Sequence, residues 1–195
     1  MRTAEDGWLL PAWEMGSLAP PVARGAVLAH VMGVTATLDD ALDLPLDALA
    51  VALARNYAEQ FADNAAGTLA CPGCGEVLDV EVPVALVATA GASDESVVTT
   101  PGGQTVRLRV PSTRDVLAAT DDIDVAAALL ARAIVADEEP VDDGGERALS
   151  AADRAALESA LDSMAGAAAV SVRADCPLCA TTVSASRRWA TTSSA

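Results

Sequence analysis

Two short segments, Cys71-Pro72-Gly73-Cys74-Gly75 and Cys176-Pro177-Leu178-Cys179, hold all four cysteines of this 195-residue chain. The residues that follow each pair alternate between apolar and polar side chains, approximately over 75–82 and more weakly over 181–186. Residues 170–175, ahead of the second pair, alternate in the same way. Because a period of two is typical of a β-strand with one buried face, the pattern places each cysteine pair at the turn of a β-hairpin.

Paired cysteines of this spacing have three interpretations: disulfides, redox dithiols or a metal site. A cytosolic chain of this length does not need disulfides for stability, and a thioredoxin-like pair precedes a helix rather than a strand. Two hairpin turns, by contrast, supply four sulfurs for a tetrahedral site, with backbone amides donating to them. The sequence therefore predicts one Zn²⁺ per chain, held by Cys71, Cys74, Cys176 and Cys179. Two independent dithiol pairs, a site lost in this sequence and an iron–sulfur cluster remain as alternatives.

The elements around the cysteines are repeated. A helix over about 46–64, ended by Gly67, is predicted before the first pair, and a helix over about 151–165, ended by Gly166, before the second. Ser150 and Asp153 have the spacing of a capping box for that second helix. The fold class is therefore predicted as α+β, with duplicated helix–β-hairpin halves that share one four-cysteine zinc site and bury their helices against each other.

An inserted hairpin and helices separate the two halves. Strands at 97–100 and 105–110 flank a turn at 101–104, and helices are predicted from the Ser112/Asp115 capping box and over about 123–136. A further helix is predicted near the start, over about 21–33. The predicted organisation is listed in chain order: an N-terminal arm (1–16), a first half (17–90), an inserted segment (91–147) that ends in an acidic connection (137–147), a second half (148–190) and a tail (191–195).

Composition and charge exclude several classes of partner and location. Twelve basic residues, all of them arginine, stand against 28 acidic residues and give a net charge of −16. Such a chain would repel nucleic acids and anionic lipids, so neither is predicted as a partner. The start of the chain has no basic signal-peptide region, and no apolar stretch reaches the roughly 20 residues that a membrane span requires. The prediction is a soluble, cytoplasmic protein.

Catalysis finds little support in the residues. His30 is the only histidine and is predicted to lie on a helix, at its surface or in the core. A closed four-thiolate site leaves no coordination position for a substrate, so the chain is predicted not to be an enzyme. Arg107, Arg109 and Arg114 form the candidate partner-binding group, although an exposed strand face beside a capped helix would also explain them. Trp8 and Trp13 are predicted to pack rather than to form an exposed docking arm.

The order of these features resembles the CPxC proteins encoded beside phage tails and phage-derived contractile injection systems, often described as T-even-type baseplate hub assembly chaperones. The resemblance covers most of the chain. It is carried by Trp13-Glu14, Leu44-Pro45-Leu46, the first cysteine segment, residues 106–112, residues 129–134, the helix near 151–165 and the second cysteine segment.

The resemblance implies a non-catalytic assembly role, with a baseplate or hub/spike subunit as the protein partner. Two departures bear on it. Ala180 follows the second pair where family members usually have glycine, and the chain stops soon after Trp189, where members have an aromatic-rich helix. A contact that relatives make there is expected to be missing or altered. A dithiol redox protein and a zinc-ribbon adaptor for another protein complex are the rival functions.

Overall fold

The computed structural model describes residues 6–89, 95–135, 149–164 and 171–186. These segments contain eight α-helices and seven strands, and the strands form three small antiparallel sheets. The helices are α1 (Leu9–Leu18), α2 (Arg24–Val31), α3 (Leu38–Asp43), α4 (Leu46–Gln60), α5 (Ala85–Ala88), α6 (Thr113–Ala119), α7 (Val125–Ala133) and α8 (Ala151–Met164). The strands are β1 (Asn64–Ala70), β2 (Val77–Pro83), β3 (Ser96–Thr99), β4 (Thr105–Leu108), β5 (Ile134–Val135), β6 (Ser171–Asp175) and β7 (Thr182–Ser186). The predicted α+β class is confirmed.

The helix–hairpin unit occurs twice, as predicted. Helix α4 precedes the hairpin β1–β2, and helix α8 precedes the hairpin β6–β7. Cys176 lies 105 residues after Cys71, and the same offset separates the first residues of α8 and α4 and the first residues of β7 and β2. A constant offset means that the second unit repeats the first without insertion or deletion between helix and hairpin.

The predicted end of the first helix at Gly67 is wrong. Helix α4 ends at Gln60, and the backbone N–H of Phe61 closes its last turn on the carbonyl of Tyr57. Gly67 instead lies in the middle of β1, paired with Val80 of β2. The apolar helical spacing stops at Phe61, and the residues from Asn64 onward form strand β1, which pairs with β2. Gly166, the predicted end of the second helix, lies outside the described residues.

The two repeated helices do not share a core, contrary to the prediction. Leu157 and Leu161 of α8 pack with Leu108 and Leu130 of the inserted segment. Leu49 of α4 instead packs in a separate cluster with small residues of α2 and α3, namely Ala26, Ala29 and Ala41. One physical reason is visible in the repeat: the positions of α4 that correspond to Leu157 and Leu161 hold Ala52 and Asn56. The two helices therefore bury different faces.

The inserted segment contains one more strand than predicted. The hairpin β3–β4 forms as expected, but the helix predicted over 123–136 ends at Ala133. Ile134 and Val135 then pair with Leu108 and Arg107 as strand β5. Their β-branched side chains suit a strand better than a helix end, and this pairing covers one edge of β4. The predicted acidic connection at 137–147 lies outside the described residues.

The predicted N-terminal arm is partly helical. Its described residues form a 3₁₀ turn at Asp6–Trp8 and helix α1, and the predicted helix over 21–33 is a 3₁₀ turn followed by α2. Trp8 packs edge-on against Phe61, with ring centroids 6.2 Å apart. Trp13 is 75% exposed, so the packing predicted for it is wrong. The predicted tail at 191–195 lies outside the described part of the chain.

Asp153 joins the second half to the inserted hairpin. Its carboxylate accepts hydrogen bonds from the backbone N–H of Gly102 at 2.7 Å and from the Ser150 hydroxyl at 2.7 Å. Ser150 in turn accepts from the N–H of Asp153 at 3.1 Å, which confirms the predicted capping box. The hydrogen bonds from Ser150 and Gly102 lower the pKa of Asp153 to about 2.

This pKa predicts an acid-sensitive contribution to stability. A carboxylate whose pKa is lowered in the folded state stabilises it above the ordinary pKa near 3.8, and that stabilisation is lost as the pH falls through about 2. We expect Asp153→Asn to be less stable than the wild type at pH 7, and the difference to shrink below pH 4. Denaturant unfolding of both proteins across this range measures the difference. A difference that stays constant with pH would contradict the prediction.

Candidate metal centre

The two cysteine segments meet although about a hundred residues separate them. The Sγ atoms of Cys71 and Cys179 lie 3.5 Å apart, and those of Cys74 and Cys176 lie 3.6 Å apart. All four sulfurs lie within 4.8 Å of one another, and none is in a disulfide. The predicted ligand residues are therefore brought together, with each close pair formed between the two hairpins.

The same backbone turn presents the sulfurs in both hairpins. The N–H of Cys71 donates to the carbonyl of Glu76 at 2.7 Å, and the N–H of Gly75 donates to the carbonyl of Cys71 at 2.8 Å. In the second hairpin, Cys176 donates to Thr181 at 3.0 Å, and Ala180 donates to Cys176 at 2.9 Å. These bonds close each turn tightly, so both cysteines of a pair point to the same side.

The cluster lies over a small apolar core. Cys71 and Cys176 are buried and pack with Leu78 of β2 and Val183 of β7. Leu78 and Val183 stand at the same distance after the first cysteine of their segments, so both halves contribute to this core in the same way. Cys74 and Cys179 are exposed. The site therefore has one face in the protein interior and one face toward solvent.

Hydrogen bonds make the outer thiols unequal. The hydroxyl and the backbone N–H of Thr181, with the sulfurs of Cys71 and Cys74, lower the pKa of Cys179 to about 6. The N–H of Glu76 acts in the same direction on Cys74, but the sulfurs of Cys176 and Cys179 outweigh it and raise the pKa of Cys74 to about 12. Clustered thiolates repel one another, and a divalent cation among them relieves that repulsion.

The donor set fits a tetrahedral metal ion. Zn–S bonds of about 2.3 Å place neighbouring sulfurs of a tetrahedron about 3.8 Å apart, close to the separations of 3.5 and 3.6 Å found here. Four thiolates select soft or borderline metals over Mg²⁺ or Ca²⁺. They also fill all four positions, so a bound ion would crosslink the hairpins without an open position for a substrate.

Ala180 has the only positive φ angle of a non-glycine residue in the described segments, +56°. Gly75, at the matching position of the first turn, has φ +78°. A left-handed backbone costs an L-residue about 1 kcal/mol, whereas glycine adopts it freely. Ala180, the departure noted in the sequence, therefore stores strain beside the metal centre.

We expect Ala180→Gly to raise the free energy of unfolding by up to about 1 kcal/mol, because the strain is removed although the unfolded glycine chain gains entropy. Chemical denaturation of the metal-loaded proteins measures the change. The matched control is Gly75→Ala, which places alanine in the same conformation and is expected to destabilise the chain. An Ala180→Gly protein no more stable than the wild type would contradict the prediction.

The three candidate arginines pair with acids of this chain. Arg109 forms a two-point ion pair with Asp115, at 2.7 and 3.0 Å, and Asp115 also accepts from the N–H of Ser112, so the predicted Ser112/Asp115 capping box forms. Arg114 of α6 reaches Asp39 and Asp43 of α3.

Arg107 lies 3.8 Å from Glu95. The pairs of Arg109 and Arg114 hold α6 to the residue that follows β4 and to α3. Partner binding by Arg107, Arg109 and Arg114 stays a prediction.

Sequence reasoning missed two residues of the site. The Thr181 hydroxyl lies 3.2 Å from the Sγ of Cys179, and no motif marks it. Gly73 approaches Thr181 so closely that a Cβ atom there would lie 2.7 Å from its Oγ1. His30 lies on α2, as predicted, and its buried Nδ1 has no hydrogen-bond partner among the described residues.

Comparison of the chain with protein-family models, curated proteins and solved structures finds no match. None of the helices in the described segments has the length and apolar character needed to cross a membrane.

Proposed function

We propose that Cys71, Cys74, Cys176 and Cys179 bind one Zn²⁺ per chain, and that this ion is a structural clamp. The observation that carries the proposal is the convergence of four sulfurs within 4.8 Å of one another from hairpins far apart in sequence. Each hairpin is a two-stranded sheet, which is at best marginally stable alone. An ion shared by both hairpins would stabilise both at once.

The clamp belongs to a non-catalytic assembly factor or chaperone for the baseplate or hub of a phage tail-like contractile injection system. Two points support this role. The order of motifs along the chain resembles the CPxC proteins of contractile-tail loci, and a closed four-thiolate site suits a scaffold better than a catalyst. A baseplate or hub/spike subunit is the proposed partner, and the cytoplasm is the proposed location.

Metal content tests the clamp. Elemental analysis of protein purified without chelator is expected to find one zinc per chain, with four reduced thiols in denaturant. Leu178→Ser is the control, because it changes the second turn at an exposed side chain and leaves every sulfur in place. Absence of metal, with thiols that oxidise in pairs, would overturn the clamp and favour the dithiol redox function.

Co-expression tests the assembly role. The chain is produced together with the hub, spike and baseplate subunits of a contractile particle from the same genome, and a soluble complex with one of them is expected. If zinc is bound but no such complex forms, the clamp stands and the assembly role is wrong. A zinc-ribbon adaptor for another complex would then account for the fold.

A further inference from the structure

The aromatic side chains of this chain are concentrated in one place. The sequence has only three Trp, one Tyr and one Phe. Four of these five, Trp8, Trp13, Tyr57 and Phe61, line a single open groove of about 810 Å³. A chain so poor in aromatic residues would be expected to use them in its core, yet Trp13 is 75% exposed and Phe61 is 54% exposed. Tryptophan and tyrosine are enriched in binding hot spots, and three of the four aromatic residues that line this groove are of these types.

The groove, here called the aromatic groove, is bounded by α1, α2, α4, α5 and the first hairpin. Trp8 stands edge-on to Phe61, and Tyr57 lies 5.2 Å from Phe61 between ring centroids, so three rings support one another. Val82 of β2 and Val87 of α5 also line the groove. The groove is therefore built by packed elements, and Trp13 is the most exposed of its aromatic side chains.

The lining has the chemistry of a protein-binding surface. All fourteen lining residues are Ala, Val, Leu, Met or aromatic. Small-molecule sites have a few converging polar groups that orient the ligand, and this lining has no charged side chain. An added β-strand would need an open backbone edge, whereas most of the lining residues lie on helices. The matching recognition mode is the apolar face of an amphipathic helix laid into a groove.

Charge selects the occupant. A second copy of this chain would bring another net charge of −16 to the contact, which opposes self-association. A partner segment of opposite charge would instead be attracted.

We propose that the aromatic groove binds a basic amphipathic helix of a partner protein, with Trp13 and Phe61 as its main contacts. The inference deepens the proposed assembly function, on which it rests, by stating the chemistry of the segment that the partner presents. Aliphatic side chains spaced i, i+3, i+4 and i+7 enter the groove. Lysine or arginine on the remaining face of that helix is attracted by the net charge of −16 of this chain.

A designed helix tests the proposal. The probe is a dye-labelled 18-residue peptide with leucine at i, i+3, i+4 and i+7 positions and lysine elsewhere, titrated with the full-length, metal-loaded protein and followed by fluorescence anisotropy. Two further peptides are compared: one with the same composition in scrambled order, and one with glutamate in place of lysine. We expect both to bind at least ten-fold more weakly than the probe. Equal binding of the probe and the scrambled peptide would overturn the proposal, because attraction would then depend on charge alone.

Protein variants locate the binding. Trp13→Ala and, as a second variant, Phe61→Ala are expected to weaken probe binding about ten-fold or more with zinc content unchanged. Ile123→Ala is the matched control, because Ile123 is fully exposed and does not line the groove. Unchanged binding by both groove variants would overturn the proposal, as would a concentration-dependent dimer abolished by Trp13→Ala. If the probe binds but no baseplate or hub subunit is captured, the groove stands and the assembly role fails.

Discussion

Replacing Cys71 with serine is expected to abolish stoichiometric zinc binding and to destabilise both hairpins. Serine is nearly isosteric with cysteine but does not replace a thiolate as a zinc ligand. Loss of a supporting hydrogen bond alone costs zinc sites about 10- to 100-fold in affinity, so loss of a ligand is expected to cost more than about 100-fold. Elemental analysis after dialysis measures the zinc that remains.

Hydrogen exchange shows whether the site is shared. The sulfur of Cys71 lies beside that of Cys179 in the other hairpin. In the Cys71→Ser protein, amide protection is therefore expected to fall in β6–β7 as well as in β1–β2. Cys176→Ser is expected to give the same pattern, since Cys176 is equally buried and lies beside Cys74. Leu178→Ser is expected to retain both zinc and protection. If only the mutated hairpin loses protection, the two halves do not share an ion.

The sequence was a good guide where one local pattern determines structure. The four cysteines, their hairpins, and the capping boxes at Ser112 and Ser150 follow from spacing and alternation over fewer than ten residues. These local features depend on backbone geometry that the residues themselves impose. The meeting of the two cysteine pairs follows instead from the repeat, because neither half alone has a large core.

Contacts between elements that are distant in sequence could not be predicted in the same way. The pairing of Ile134 and Val135 with β4 depends on a strand that lies more than twenty residues earlier. The packing of α8 on the inserted segment, and of α4 on α2 and α3, depends on which apolar face meets which neighbour. Both helices have an apolar face at helical spacing, and that pattern does not name the partner surface.

The aromatic groove illustrates the same limit. Trp8 and Trp13 lie close in sequence, and packing was the natural expectation for both. The structure separates them: Trp8 is anchored against Phe61, while Trp13 stays largely in solvent. An exposed aromatic side chain is indistinguishable from a core residue in a single sequence, so a recognition surface of this kind emerges only from the fold.

A methyl group added at Gly73 is expected to weaken zinc binding about 10- to 100-fold, as for other changes next to ligands. In the Gly73→Ala protein the new Cβ would lie 2.7 Å from the Oγ1 of Thr181 and 3.4 Å from the Sγ of Cys179. Thr181 is β-branched and has few rotamers with which to move away. The two hairpins would have to move apart, whereas a single metal ion can be bound by all four sulfurs only if the hairpins stay together. Competition with a chromophoric chelator measures the affinity.

The position that corresponds to Gly73 in the second turn is Leu178, whose side chain is 70% exposed, so Leu178→Ala is the matched control and is expected to leave zinc affinity unchanged. The steric origin can be isolated with Thr181→Ala, which removes the Oγ1 atom and, with it, the hydrogen bond to Cys179. Thr181→Ala alone is expected to weaken zinc binding. In the Gly73→Ala background, the same substitution is expected to cause a smaller loss of zinc affinity than in the wild type, because it also relieves the clash. Strictly additive losses would show that Gly73 acts through its backbone and not through its close approach to the second hairpin.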